Sequence, residues 1–233
     1  MSEILKEYKF TSLILLINAI VFALIVIKGG PNSDTLVHFG ASNYELIKSG
    51  QYYRIFTQIF VHLSWIHFLF NMLVIYMMVP SVEQKFGSYT LVGVYLLVCL
   101  LDELFMPLIY DNWVASGGAS GGYFGLYGLA IGTLFFYKDE GLNKWASQFV
   151  LPMILIMIGA EIYFRITQGS PERIFDYNIG HLSSLCIGII LAGIFEPKGY
   201  KLPIKIRVIS IMVYISLAII FFYFGYYRRS FGL

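Results

Sequence analysis

Residues 114–128, VASGGASGGYFGLYG, hold six glycines and two serines at the head of an apolar run. Glycine costs a helix interior about 1 kcal/mol relative to alanine in water, so its density here needs a reason. Two present themselves. The glycines are a packing face for a neighbouring helix, or the slim backbone presents Ser120 as a nucleophile; the rest of the chain has to choose.

The 233-residue chain is 58% hydrophobic and only 13% charged, with a mean hydropathy of +0.73. That leaves too little polar surface to cover a water-soluble globule. The expected class is an all-α polytopic membrane protein lying in a lipid bilayer. Seven apolar stretches approach the roughly 20 helical residues that cross a hydrocarbon core: about 12–27, 66–80, 89–101, 120–137, 146–164, 178–195 and 208–225.

A net charge of +2 is too small and too scattered to suggest a nucleic-acid partner. Cys99 and Cys186 fall inside apolar stretches and read as small buried hydrophobes, so no disulfide framework, zinc site or other metal or cofactor is expected. The first apolar run has no small-residue cleavage pattern after it and reads as a retained span rather than a signal peptide. No organelle-targeting extension is visible, which makes a bacterial plasma membrane the expected location.

Simple alternation with the N-terminus inside gives the inner loops nine lysines and arginines and the outer loops seven, a small bias toward that orientation. The connection over residues 29–63 is long and aromatic, and reads as a loop folded at the membrane interface. No internal repeat or soluble domain is visible. One membrane domain is expected to fill residues 1–233.

Alternation also starts the second, fourth and sixth segments on one face, and each begins with a polar cluster. The second carries His62, His67 and Asn71, the fourth Ser120, and the sixth His181. His67 and Asn71 are four apart and share a helix face. Singly, each has a bland reading, as a polar group satisfied by a carbonyl or a neighbouring helix; His62 reads as a loop histidine and Ser120 as a helix N-terminal serine.

Small residues link the clusters. Gly121, Gly125, Gly128 and Gly132 form one stripe in the fourth segment, and Gly180, Ser184, Gly188 and Ala192 recur every fourth residue in the sixth. Such ridges let membrane helices approach backbone to backbone. At 100° per residue His181 lies about 20° from Gly188, so close packing of the two helices brings it to the neighbourhood of Ser120. A histidine there can take the serine proton during attack on a carbonyl and return it to the leaving amine. The Ser120 N–H, Asn71 and His67 are the candidate donors to the oxyanion. No carboxylate partner is evident, since Asp176 reads as a solvated loop residue, so the expected catalytic unit is a Ser-His dyad.

Together, QYYRIFTQIFVHLSWIHFLFN (51–71), GGASGGYFGLYG (117–128) and GHLSSLCIG (180–188) resemble the rhomboid family of intramembrane serine proteases. The combination of H-x4-H-x3-N, G-x-S-G and a later embedded histidine is specific where its parts are not. The resemblance implies a six-helix bundle (about 11–197) with an additional C-terminal helix (about 205–226). It implies Ser120 as nucleophile, His181 as general base, Asn71 and His67 lining the oxyanion hole, and His62 holding the loop beneath. Gly118 and Gly121 would flank the serine slimly, and Phe124 would be the ring on which the imidazole stacks. Tyr53-Arg54 stands where the family has Trp-Arg, keeping a ring beside a cation in the first outer loop. Ser184 stands where the family favours glycine. The implied substrates are single-span transmembrane proteins with helix-breaking residues and a small side chain before the cut.

A fourth helix over 120–137 would be about 27 Å long, setting Ser120 slightly below the outer surface. The backbone leading into it must then be buried in protein or line a wet cavity. Two other functions compete: a rhomboid-like client-binding protein, which would ordinarily lack the serine or the histidine, and a transporter, which would show repeats or charge pairs. Asp102, Glu103 and Glu161 read as lying near outer helix ends rather than on an ion path. The fifth segment and residues 168–176 are where movement is expected; oligomeric state leaves no mark in the sequence.

Overall fold

The computed structural model describes residues 7–109, 115–168 and 172–227. The chain is a helical membrane protein of the polytopic kind. Its long helices are α1 (Lys9–Ile27), α5 (Trp65–Phe86), α6 (Ser88–Ile109), α7 (Ser120–Phe136), α9 (Val150–Gln168), α10 (Glu172–Ala192) and α11 (Ile204–Phe222). Between them lie the short helices α2 (Ser33–His38), α3 (Tyr44–Lys48), α4 (Arg54–Thr57) and α8 (Glu140–Ser147). Among the described residues, five stretches are long and apolar enough to cross a membrane: Lys9–Ile27, Trp65–Phe86, Ser88–Ile109, Glu140–Gly159 and Ile204–Tyr227. The serine helix α7 has 17 residues, and the apolar part of the histidine helix, Ile179–Ala192, is also shorter. Both lie among the other helices and need not match the bilayer by themselves.

Helix α7 is the centre of the bundle. Every residue from Gly122 to Thr133 is buried, which is how a helix apolar all round behaves. The outer helices instead show apolar side chains to the surroundings, such as Leu16 on α1, Leu69 and Met77 on α5, and Ile215 on α11. In a bilayer these faces meet acyl chains, so their exposure costs nothing.

Helix boundaries depart from the sequence reading at three points. The second segment runs through Pro80 to Phe86, because neighbouring helices tolerate the one backbone bond a proline removes. The fifth is broken at Gln148–Phe149, and its membrane helix begins at Val150 rather than 146. Pro152 falls in that first turn, where an N–H has no intrahelical acceptor to lose. The sixth begins at Glu172 rather than 178, so most of the loop expected over 168–176 is helical. Residues 169–171 and the side chains of Glu161 and Asp176 lie outside the described residues.

Two buried polar groups fix the outer elements. The Glu83 carboxylate accepts from the Phe10 and Thr11 N–H groups at 2.7 and 2.9 Å and from the Thr11 and Ser88 hydroxyls at 2.7 and 2.6 Å. It thereby caps the positive end of α1 and ties it to the α5–α6 turn. Arg54, 5% exposed, donates to the Val37 and Ala41 carbonyls at 2.8 and 2.9 Å and to Gln51 Oε1 at 2.9 Å. The long connection over 29–63 is therefore a folded element. The C-terminal helix is held on α6 by Tyr214, whose hydroxyl donates to the Leu97 carbonyl at 2.7 Å.

Candidate active site

The backbone leading into α7 is laid against the folded loop. Ser42 and Ser116 exchange both backbone hydrogen bonds, at 2.8 and 2.9 Å, and the Gly118 N–H donates to the Gln58 carbonyl at 3.0 Å. These bonds satisfy non-helical backbone at membrane depth. Gly117 has no room for a side chain, since a Cβ would stand 2.7 and 2.8 Å from the Gln58 and Val61 carbonyl oxygens. Gly118 has φ +138° and a Cβ there would meet His67 Cε1 at 2.6 Å, so only glycine fits on two counts. Two side chains clasp the next residue. The Ala119 N–H donates to His62 Nε2 at 3.5 Å, and Tyr95 donates its hydroxyl proton to the Ala119 carbonyl at 3.2 Å.

Ser120 is then the first residue of α7, so its N–H has no acceptor within the helix and stands at the positive end of the helix dipole. Both Ser120 and His181 keep partial exposure beside a fully buried Phe124. The His181 imidazole stacks on Phe124, with ring centroids 4.5 Å apart and planes 24° apart. Phe124 is one turn after Ser120, so the stack brings the imidazole to the serine end of α7. His181 Nδ1 has no hydrogen-bond partner among the described residues.

The small-residue ridges of α7 and α10 meet over part of their length, while a Cβ on Gly125 would point at Val98 of α6 and one on Gly180 toward Met106 of α6. A Cβ on Gly128 would overlap the Leu185 carbonyl, one on Gly188 would overlap the Gly125 carbonyl oxygen, and one on Gly132 would come within 2.5 Å of Ala192 Cβ. Gly121 faces Ser184, whose Oγ lies 3.4 Å from where its Cβ would be. Because α10 runs nine residues before reaching His181, its first turns extend about 13 Å beyond the level of the imidazole. The start of α7 is correspondingly recessed.

On α5, Ser64 caps the helix by accepting from the His67 N–H at 3.2 Å. His67 Nδ1 accepts from the Leu63 N–H at 3.4 Å, which assigns the imidazole proton to Nε2, on the side facing Gly118. Asn71 is buried one turn deeper and donates through Nδ2 to the His67 carbonyl at 2.6 Å, while its Oδ1 has no partner among the described residues. One amide proton remains for another acceptor. His62 and His67 pack edge to face at 5.2 Å. Burial first, and His67 second, push the His62 imidazole down to about 3, so it is neutral and free to accept from Ala119.

The structure thus gathers His62, His67, Gly118 and Ser120 at one end of α7, with Gly121, Phe124 and His181 on the other side of the same turn. Arg54 makes all its polar contacts within the loop and stacks its guanidinium 5.3 Å from the Tyr53 ring centre. Three contributors escaped the sequence reading: Gln58, Tyr95 and Asp102. The first two sit in apolar or aromatic stretches without a distinguishing pattern. Asp102 carried a signal, since an acid within a membrane helix is costly and therefore suggestive.

Residues 49–198 match the Rhomboid domain family. The chain is 28% identical over 226 residues to "Rhomboid protease GluP" of Bacillus subtilis, covering 95% of this chain and 41% of that protein. It is 28% identical over 180 residues to "Rhomboid-like protease 1" of Toxoplasma gondii, covering 75% and 57% respectively. It is 27% identical over 191 residues to "RHOMBOID-like protein 1" of Arabidopsis thaliana, covering 75% and 46%. The chain spans about half the length of these curated relatives.

Proposed function

This chain belongs to the rhomboid family, and from that premise we propose that it is an intramembrane serine endopeptidase acting on single-span transmembrane proteins. Ser120 Oγ attacks the substrate carbonyl carbon while His181 takes its proton. The same proton is returned to the departing amine as the C–N bond breaks, leaving an acyl-enzyme. Water then attacks the acyl carbon and gives a proton to His181, which passes it to Ser120 Oγ as the acyl C–O bond breaks and the new carboxyl terminus leaves. The oxyanion formed in each half accepts from the Ser120 N–H, His67 Nε2–H and the remaining Asn71 amide proton. Neither a metal nor a cofactor enters these steps.

The observation that carries this reading is the stack of His181 on Phe124, one turn from Ser120 at the free N-terminus of α7. The residues 1–233 are proposed to act as one membrane domain in a bacterial plasma membrane. The test is reconstitution of the purified chain with a labelled single-span substrate, beside Ser120→Ala and His181→Ala. Cleavage by the parent and its loss in both variants is the expected result; cleavage that persists in either variant overturns the dyad. A parent that binds such substrates without cutting any of them overturns the enzyme reading in favour of client binding.

A further inference from the structure

Asp102 of α6 is bonded to α10, the helix of His181, and faces the first turn of α7, the helix of Ser120. One carboxyl oxygen is hydrogen-bonded to the Ser183 hydroxyl, two residues after His181 on α10. The other lies 3.6 Å from where a Cβ of Gly121 would stand, one residue after Ser120 on α7. Ser183 also lies 2.8 Å from the carbonyl of Gly180, immediately before His181. The hydroxyl has one proton, so it donates to the carboxylate or to that carbonyl in turn, and stands within reach of both. Tyr95 is seven residues earlier on the same face of α6 and holds the Ala119 carbonyl. The two side chains therefore bracket Ser120 from one neighbouring helix.

The need for such a bracket follows from the helix crossing. Backbone-to-backbone contact between α7 and α10 is made at Gly125, Gly128 and Gly188, inward of the dyad. At the Ser120 end the helices meet through the Ser184 side chain at Gly121, a contact looser by one oxygen. Among the described residues no cationic side chain pairs with Asp102. The Ser183 hydroxyl and the positive end of α7 are what make an acid tolerable here.

We propose that Asp102 is a positioning residue, which through Ser183 pins the His181 turn of α10 against the first turn of α7 and so sets the Ser120–His181 separation. This rests on the serine-protease reading. Displacement of about 1 Å at a reacting pair costs up to about a hundredfold in rate, so loss of the pin is expected to lower kcat while leaving KM unchanged.

The experiment measures the rate of covalent labelling of Ser120 by a fluorophosphonate, together with kcat and KM on a single-span substrate and the melting temperature. It uses the full chain and Asp102→Leu, Asp102→Asn, Ser183→Ala and the Asp102→Leu/Ser183→Ala pair. Asp102→Leu and Ser183→Ala are expected to slow labelling and kcat about tenfold. The pair should be no slower than its slower member, and Asp102→Asn should stay within about threefold because its amide oxygen accepts the same hydrogen bond. Labelling of the single variants at the parent rate, a fall in KM binding alone, or additive losses in the pair would overturn the proposal. If Asp102→Leu does not fold, Ser183→Ala, which removes one oxygen, decides by itself: a parent-like rate overturns the pin and a slowed rate supports it. A parent that neither labels nor cleaves removes the protease reading itself, a result distinct from an active parent with indifferent variants.

Discussion

Phe124 stacks on the His181 imidazole with ring centres 4.5 Å apart and planes 24° apart, one turn into α7. The ring has 0% exposure and is packed by Tyr123 and Tyr127 at 5.2 and 5.8 Å. It cannot turn aside, so it is a fixed wall beside the His181 imidazole.

Phe124→Leu keeps most of the buried volume and removes the flat face. It should lower kcat about tenfold, with KM little changed and the fold retained, because the imidazole gains freedom to leave the serine. Cleavage kinetics on a single-span substrate check this, and a change confined to KM would show that the ring contacts substrate instead.

Gly188→Ala and Gly128→Ala each force a Cβ onto a backbone carbonyl of the facing helix, and a backbone atom cannot swing away. Each should destabilise the fold by about 1–3 kcal/mol. Gly159→Ala on α9 is the matched control, since nothing lies within 4 Å of its added methyl; it should be neutral or gain up to about 1 kcal/mol. Unfolding in detergent micelles ranks the three.

Arg54→Lys retains the charge and loses the fork. A lysine cannot reach the Val37 and Ala41 carbonyls and Gln51 Oε1 in the geometry of the guanidinium. With charge-assisted bonds worth about 1.5–3 kcal/mol each, a loss of about 2 kcal/mol is expected. Hydrogen exchange should rise over residues 37–58 before it rises in α7.

His62 contributes an acid limb to stability. Its imidazole titrates at about 3 in the folded chain and near 6.5 when unfolded. Between those values the unfolded state binds the extra proton, so stability is complete above about 6.5 and falls as pH drops. From pH 6.5 to 4.5 the loss from this group is about 2.3 kcal/mol. His62→Asn should be less stable at pH 7, through its bond to Ala119, yet show a shallower decline toward pH 4.5. An unchanged slope would mean that His62 is already protonated in the folded protein.

The glycines of 114–128 show how much of this was legible beforehand. Gly125 and Gly128 were readable as a packing stripe because helical spacing is a local property, and the ridge on α10 was readable for the same reason. Gly117 and Gly118 were not separable from them in the sequence. Their requirement comes from the Gln58 and Val61 carbonyls and the His67 ring, more than fifty residues away in the chain. The break at Gln148–Phe149 and the early start of α10 at Glu172 were likewise hidden, since hydropathy alone marks apolar length and not helix ends.

By itself the sequence determined that this chain lies in a membrane, that its helices pack through small residues, and which polar residues begin at a common depth. Those follow from composition and from the fixed period of a helix. Only the tertiary structure decided that α6 meets Ala119 through Tyr95 and Ser183 through Asp102, that Asn71 turns one amide proton back to its own helix, and that the 29–63 loop is stitched by Arg54. Each of these depends on the direction of a side chain across a contact between distant segments, and helical periodicity says nothing about which neighbour that side chain will meet.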